Sequence, residues 1–287
     1  MRCLEAVQAW GEGVVMEWPK GPYKWVNKET VFVSIPFTWN LPSVKNDLTQ
    51  GSFFWKNAVV GGPALGLYPR YFNDLDYVKY EKDMPGIMQV INPMATKTTT
   101  GCIRNCKFCA VPTVEGYFRE LSDWPDLPIL CDNNLLACSQ PHFDKVIDRL
   151  IKWGWCDFNQ GVDSRLLTDY HAKRFKEIKK PIIRLALDSM SYLDDWEIAF
   201  DILRSAGVVL KSIRSYAIIG FTDTPDEAWE RCNYIEKKGI NPLPMWYHPL
   251  DCFKKNTVTN KQKDLGWTDF ERRKIMRWFY KHTETKK

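Results

Sequence analysis

The sequence predicts an α/β protein in which a parallel sheet takes up most of the chain after residue 86. Three observations predict it. Apolar, β-branched runs alternate with helical segments from Ile87 onward. Glycines stand where the helical patterns stop, at Gly154, Gly207 and Gly239. Thr224-Pro225-Asp226-Glu227 reads as a helix start: a threonine cap, proline at the first helical position, and glutamate three residues after the cap.

In residues 1–85, two apolar runs read as buried strands, Thr30–Ile35 and Ala58–Pro63, the second ending in a glycine turn. This region is expected to be a small α/β appendage, a remnant of a flavodoxin-like domain, with 69–85 as a linker. Ile87–Ile91 is the expected first strand of the main domain and 128–132 the second. A helix over 143–153 leads to a third strand at Trp155–Phe158, and a helix over 169–178 to a fourth at Ile182–Leu187. A helix over 195–205 precedes a fifth strand at Ile213–Ile219. The helix capped by Thr224 ends near Gly239, and Met245–His248 is the sixth strand. Six strands separated by helices imply right-handed parallel crossovers. The expected domains are thus 1–85, 86–252, and a basic helical extension over 253–287, where Thr268-Asp269-Phe270-Glu271 starts the last helix.

Composition bounds the protein class. Hydrophobic content of 45% in 287 residues supports a substantial core. No apolar run approaches membrane-spanning length, and the N-terminus lacks the apolar core of a signal peptide. The net charge of +5 sits at the C-terminal end, where residues 241–287 hold eleven Lys/Arg and five Asp/Glu. Arg273, Arg277 and Lys281 form a stripe there, a solvated face or a contact for phosphates. Nine cysteines, an odd number, argue against a disulfide framework and for a reducing, cytoplasmic compartment.

Three of those cysteines carry the chemistry. Cys102, Cys106 and Cys109 lie in Thr-Gly-Cys-Ile-Arg-Asn-Cys-Lys-Phe-Cys, a Cys-x3-Cys-x2-Cys loop. Three thiolates on one short loop can hold three irons of a [4Fe–4S] cluster and leave the fourth open. A zinc site normally takes four protein ligands, and Cys131, Cys138 and His142 are not spaced to complete one. A chance grouping of structural thiols is the remaining alternative.

This loop, with Phe108 directly before its last cysteine, resembles the signature of the radical S-adenosylmethionine (SAM) superfamily. The resemblance implies a partial (β/α)6, TIM-like barrel, a [4Fe–4S] cluster, and SAM chelated to the open iron. It also implies a flavodoxin- or ferredoxin-like electron donor. In a parallel barrel the site forms at the C-terminal strand ends, which nominates residues independently. Phe108 is expected beside the SAM adenine. Asp132, Asn133 and Asn134 follow the second strand and depart from the superfamily's Gly-Gly-Glu, yet offer oxygens to the SAM ammonium or form an ordinary turn. After the third strand, Asn159, Gln160 and Asp163 are expected near ribose or substrate. Arg165 is expected on the SAM carboxylate, or in a salt bridge with a neighbouring acid. This Asn-Gln-Gly-x-Asp-x-Arg run is similar to one found in uncharacterised bacterial and viral members. Asp188 ends the fourth strand and is expected to hold the ribose or to hydrogen-bond the substrate. Tyr216–Asp223 resembles the Gly-x-Ile-x-Gly-x-x-Glu adenine motif, with Ile218 packing on the base, Gly220 permitting close approach, and Asp223 in place of the glutamate. His248, after the sixth strand, reads as structural rather than catalytic.

The cysteine pattern elsewhere predicts a single cluster, and the absence of histidine from residues 1–101 disfavours a histidine-ligated cobalamin. The expected function is therefore reductive SAM cleavage and hydrogen abstraction from a substrate, with the basic tail favouring a nucleotide or nucleic acid. The alternative from another class is a non-catalytic iron–sulfur protein that binds nucleic acid.

Overall fold

The computed structural model describes residues 18–51, 55–82 and 86–284. The expected features of residues 1–17 and 83–85, Cys3 among them, lie outside the described residues. The chain forms two compact units. The first takes the described residues up to Ala95 with Cys109–Gly116 and Pro249–Lys255; the second takes Thr96–Phe108, Tyr117–His248 and the described residues from Asn256 onward.

In the first unit, β1 (Tyr23–Asn27) and β2 (Thr30–Ser34) pair as an antiparallel hairpin whose turn places Lys28 at φ 55°. Helix α1 (Leu41–Gly51) connects β2 to β3 (Asn57–Gly61), which runs parallel to it. After α2 (Pro63–Leu67), β4 (Val78–Tyr80) adds in parallel to β3, giving the order β1-β2-β3-β4. Alternation along β2 and β3 turns Val31, Val33, Ala58 and Val60 onto Leu41, Val44 and Leu48 of α1. The segment expected to be a linker thus contributes β4 to this sheet. A second expectation also fails: Ile87–Ile91 is a helix, α3, none of whose residues is buried. Periodicity cannot separate helix from strand over five apolar residues. This unit also carries α4 (Val111–Val114).

The main sheet begins with β5 (Ala95–Thr96), so its first strand lies four residues beyond the expected one. A two-stranded antiparallel ribbon follows, β6 (Thr99–Thr100) with β7 (Arg119–Glu120). Then come β8 (Ile129–Leu130), α5 (Gln140–Trp153), β9 (Trp155–Phe158), α6 (Asp169–Glu177), β10 (Lys180–Ala186) and α7 (Leu193–Ser205). After these run β11 (Ile213–Ile219), α8 (Pro225–Lys237), β12 (Pro242–Trp246), α9 (Asn260–Asp264) and α10 (Asp269–Glu284). The sheet order is β5-β8-β9-β10-β11-β12, with parallel pairing from β8 to β12. The protein is therefore mixed α/β with parallel sheets.

Local signals explain the helices. The Thr224 capping box forms: its hydroxyl accepts the Glu227 amide, and the Glu227 carboxylate accepts the Thr224 amide at 2.7 Å. Thr168 makes an equivalent box with His171 at the start of α6. Gly154, at φ 73°, caps α5 where the sequence places the stop. One face of the sheet buries Cys156, Phe158, Ile183, Leu185, Ala217 and Ile219 in the core with Phe143, Phe175, Trp196 and Ile235 from the helices. The period-two alternation turns Asp157, Arg184, Arg214, Tyr216 and Ile218 to the other face. Among the described residues, no helix is long and apolar enough to cross a membrane.

Candidate metal and cofactor site

The strand ends position the cysteine loop. Cys131, directly after β8, donates its amide to the Thr96 carbonyl of β5 at 2.8 Å. The next residue, Asp132, is buried, and its Oδ1 accepts the amides and hydroxyls of Thr98 and Thr99; the Thr98 amide lies at 2.7 Å. Burial pushes this carboxyl up, and the four donors oppose the rise. Its Oδ2 is buried with no partner. Asp132 therefore fixes the segment that enters the cysteine loop.

Each cysteine of the loop is half-buried. The Cys102 sulfur accepts the Arg104 amide at 3.3 Å and the Asn134 Nδ2 at 3.6 Å. Burial pushes the Cys106 thiol up; Arg165 opposes this by charge and hydrogen bond, while Cys102 and Asp188 add to it. Cys109 belongs to the first unit, where its sulfur accepts the Val111 amide at 3.5 Å. Amide and guanidinium donors aimed at sulfur are contacts that orient a cysteine ligand.

Asp163 is the hub beneath Cys102 and Cys106. Its side chain is 6% exposed. Oδ2 accepts Arg104 Nε at 2.8 Å and Asn134 Nδ2 at 3.2 Å, and Oδ1 accepts Arg165 Nε at 2.7 Å. Burial alone would raise this carboxyl, but Arg165 and Arg104 outweigh it and hold it below the usual carboxylate range. Arg165 also lies over the Tyr192 ring, 5.4 Å from its centroid. Of the two alternatives for Arg165, the salt bridge is present, and the guanidinium also reaches Cys106.

The other expected residues fall into two groups. Asp188 accepts the Ile218 amide at 2.9 Å, and burial pushes its carboxyl up against the opposing charges of Arg231 and Arg165. It thus joins the Cys106–Arg165 group. Phe108 stands edge-on to Phe221 at 5.5 Å, and Phe221 stands edge-on to Tyr247 at 4.9 Å. Gly220 and Asp223 lie in packed surroundings. Asp223 accepts the Gly220 and Phe221 amides and pairs with the buried Arg231 at 2.6 Å. Gly220 is approached by the Trp246 ring rather than by open space. Gln160 is exposed and reaches only Asn159, at 3.4 Å; Asn133 is half-buried. His248 accepts the Asn256 amide through Nε2 at 3.0 Å, as a structural histidine does.

Sequence reasoning missed Arg104 and Tyr192. Arg104 lies inside the cysteine loop, and its pairing with Asp163 spans 59 residues, so no local pattern could reveal it. Among the described residues, no group of three or more His, Cys, Asp or Glu is arranged around a single metal ion. The fit to a cluster therefore rests on donor chemistry. Three half-buried sulfurs have polar hydrogens directed at them, and the Asn134 Oδ1 is buried beside Cys102 without a partner. These residues suit thiolate ligation of an iron–sulfur cluster. No protein-family model matches the chain, and no curated protein matches it.

Proposed function

We propose that this protein is a radical SAM enzyme. The observation that carries the reading is the Cys-x3-Cys-x2-Cys loop, with N–H donors on its sulfurs, entering from the first strand of a sequentially ordered parallel sheet. On this reading the sheet and its helices are a partial (β/α)6, TIM-like barrel, and Cys102, Cys106 and Cys109 hold the cluster. When bound, the cluster and SAM would supply radical chemistry there, a one-electron reductive cleavage of SAM coupled to hydrogen abstraction from a substrate.

The chain's own residues do the positioning. Asp163 holds Arg104 and Arg165 in place, and Arg165 sets a positive charge beside Cys106. Phe108 and Phe221 offer an aromatic surface for the adenine. Asn134 directs an amide donor at Cys102 and keeps its carbonyl oxygen open. Asp188, whose carboxyl burial pushes up, accepts the Ile218 amide and places an acid at the strand ends. The electron comes from a flavodoxin- or ferredoxin-like donor.

The test is anaerobic reconstitution with iron and sulfide, followed by dithionite and SAM. The expected product is 5′-deoxyadenosine. An intact, reducible cluster that yields none, with the substrate class proposed below also present, supports the non-catalytic iron–sulfur alternative. Cys106→Ala is expected to remove cluster absorbance and bound iron; normal iron content in that variant makes the ligand assignment wrong. Zinc without iron or sulfide on metal analysis makes the site a zinc module.

A further inference from the structure

The face of the main sheet opposite the helices carries an arrangement that packing does not explain. Arg184 on β10 and Arg214 on β11 are direct partners in the parallel register. Like charges placed opposite one another on neighbouring strands destabilise a sheet. Arg184 is 7% exposed, and burial together with the Arg214 charge pushes its guanidinium down. It is ion-paired with Asp157 of β9 and lies 5.8 Å from the Tyr216 ring centroid. Its Nε is nevertheless buried with no hydrogen-bond partner. Arg214 is half-exposed, and its side chain makes no hydrogen bond or ion pair among the described residues. Among the described residues one carboxylate, Asp157, is thus paired with Arg184 and none is paired with Arg214.

We propose that this face binds the phosphate group of a small phosphorylated substrate, with Arg184 and Arg214 as its ligands. Two planar forks from adjacent strands need an anion with acceptor oxygens in more than one plane. A phosphomonoester provides these, and a planar carboxylate does not. The burial of Arg184 selects a terminal phosphate on a small molecule over the backbone of a nucleic acid, whose flanking residues would have to follow it in. Arg184 lies two residues before the end of β10 and four before Asp188, a reach of at most about 13 Å at ~3.3 Å per residue. A nucleotide-sized molecule anchored by its phosphate on this face extends toward the strand ends where Cys106, Arg165 and Asp188 gather. That this phosphate belongs to the substrate rests on the radical SAM reading; that a phosphate binds here does not.

The test titrates the full-length protein with phenyl phosphate, benzoate and a short single-stranded RNA at fixed ionic strength. Calorimetry is run before and after cluster reconstitution, so a failure of SAM cleavage leaves the binding result standing. Phenyl phosphate is expected to bind in both states, with benzoate at least about tenfold weaker. Arg214→Gln is expected to weaken phenyl phosphate by at least about tenfold. Without ligand it melts no lower than wild type, because a like-charge pair is gone. Arg214→Lys, which keeps the charge and loses the fork, falls between. No binding of phenyl phosphate, unchanged binding by Arg214→Gln, or benzoate binding equally well overturns the proposal. RNA that binds more tightly than phenyl phosphate and loses affinity with Arg214→Gln makes the face a nucleic-acid site and also overturns it.

Discussion

Gly220→Ala lowers the unfolding free energy by about 4 kcal/mol, read as a drop in the urea midpoint at unchanged slope. Gly220 sits at φ 79°, where a Cβ is crowded by its own backbone, at a cost of about 1–2 kcal/mol. The larger cost is steric. An added Cβ falls against the Trp246 ring, with two further ring atoms at 2.7 and 2.8 Å. That ring cannot withdraw easily: it is 7% exposed and packs edge-on to the buried Trp267 at 5.0 Å. Trp267 is in turn fixed by a 2.6 Å hydrogen bond from its Nε1 to the Asp223 carbonyl. Overpacking of this kind costs about 1–3 kcal/mol. A loss under about 1 kcal/mol would show that Trp246 rearranges freely and that the glycine is kept for another reason.

Asp163→Asn costs about 3 kcal/mol at pH 7, because it leaves Arg104 and Arg165 without their counter-charge in a mostly buried position. The pH dependence separates this from simple packing loss. The folded-state pKa of Asp163 lies below its unfolded value, so its stabilisation is present above the ordinary carboxylate pKa of about 3.9. It is lost as pH falls through the lower folded value. Asp132 and Asp188 behave oppositely: their folded pKa values are raised, so their ionisation cost disappears on acidification. The gap between wild type and Asp163→Asn in urea denaturation is therefore expected to narrow below pH 4. A gap that stays constant from pH 7 to pH 3 excludes the charge pairing as its cause.

Legibility from sequence followed the strength of local signals. Strands β9 and β11 fall at the expected residues because each is a β-rich run bounded by turn or cap residues. The last strand shifts from Met245–His248 to Pro242–Trp246. Pro242 and Pro244 fit within it because β12 is the sheet edge, where a missing N–H breaks no ladder bond. Strand β5 is two residues long, Ala95 and Thr96, too short for any periodicity to register. The apolar run just before it drew the strand assignment and is a helix. In the site, the cysteines and the Asp163–Arg165 pair lie within local runs and were legible. The links of Arg104 to Asp163, Asn134 to Cys102 and Arg184 to Arg214 span 30 or more residues and come only from the tertiary fold, the last from the sheet register.

The Asp132 carboxylate holds the backbone amides of both Thr98 and Thr99, a few residues before Cys102. Fixing one residue's backbone costs roughly 1–2 kcal/mol of conformational entropy. For these two residues that cost is met when β8 folds, before anything occupies the loop beyond them. Whatever the cysteines bind then has a shorter stretch of chain left to order, and its affinity is higher by the entropy it no longer has to offset. The loop is thus prepared for its ligand from one end, by a side chain that need never touch that ligand.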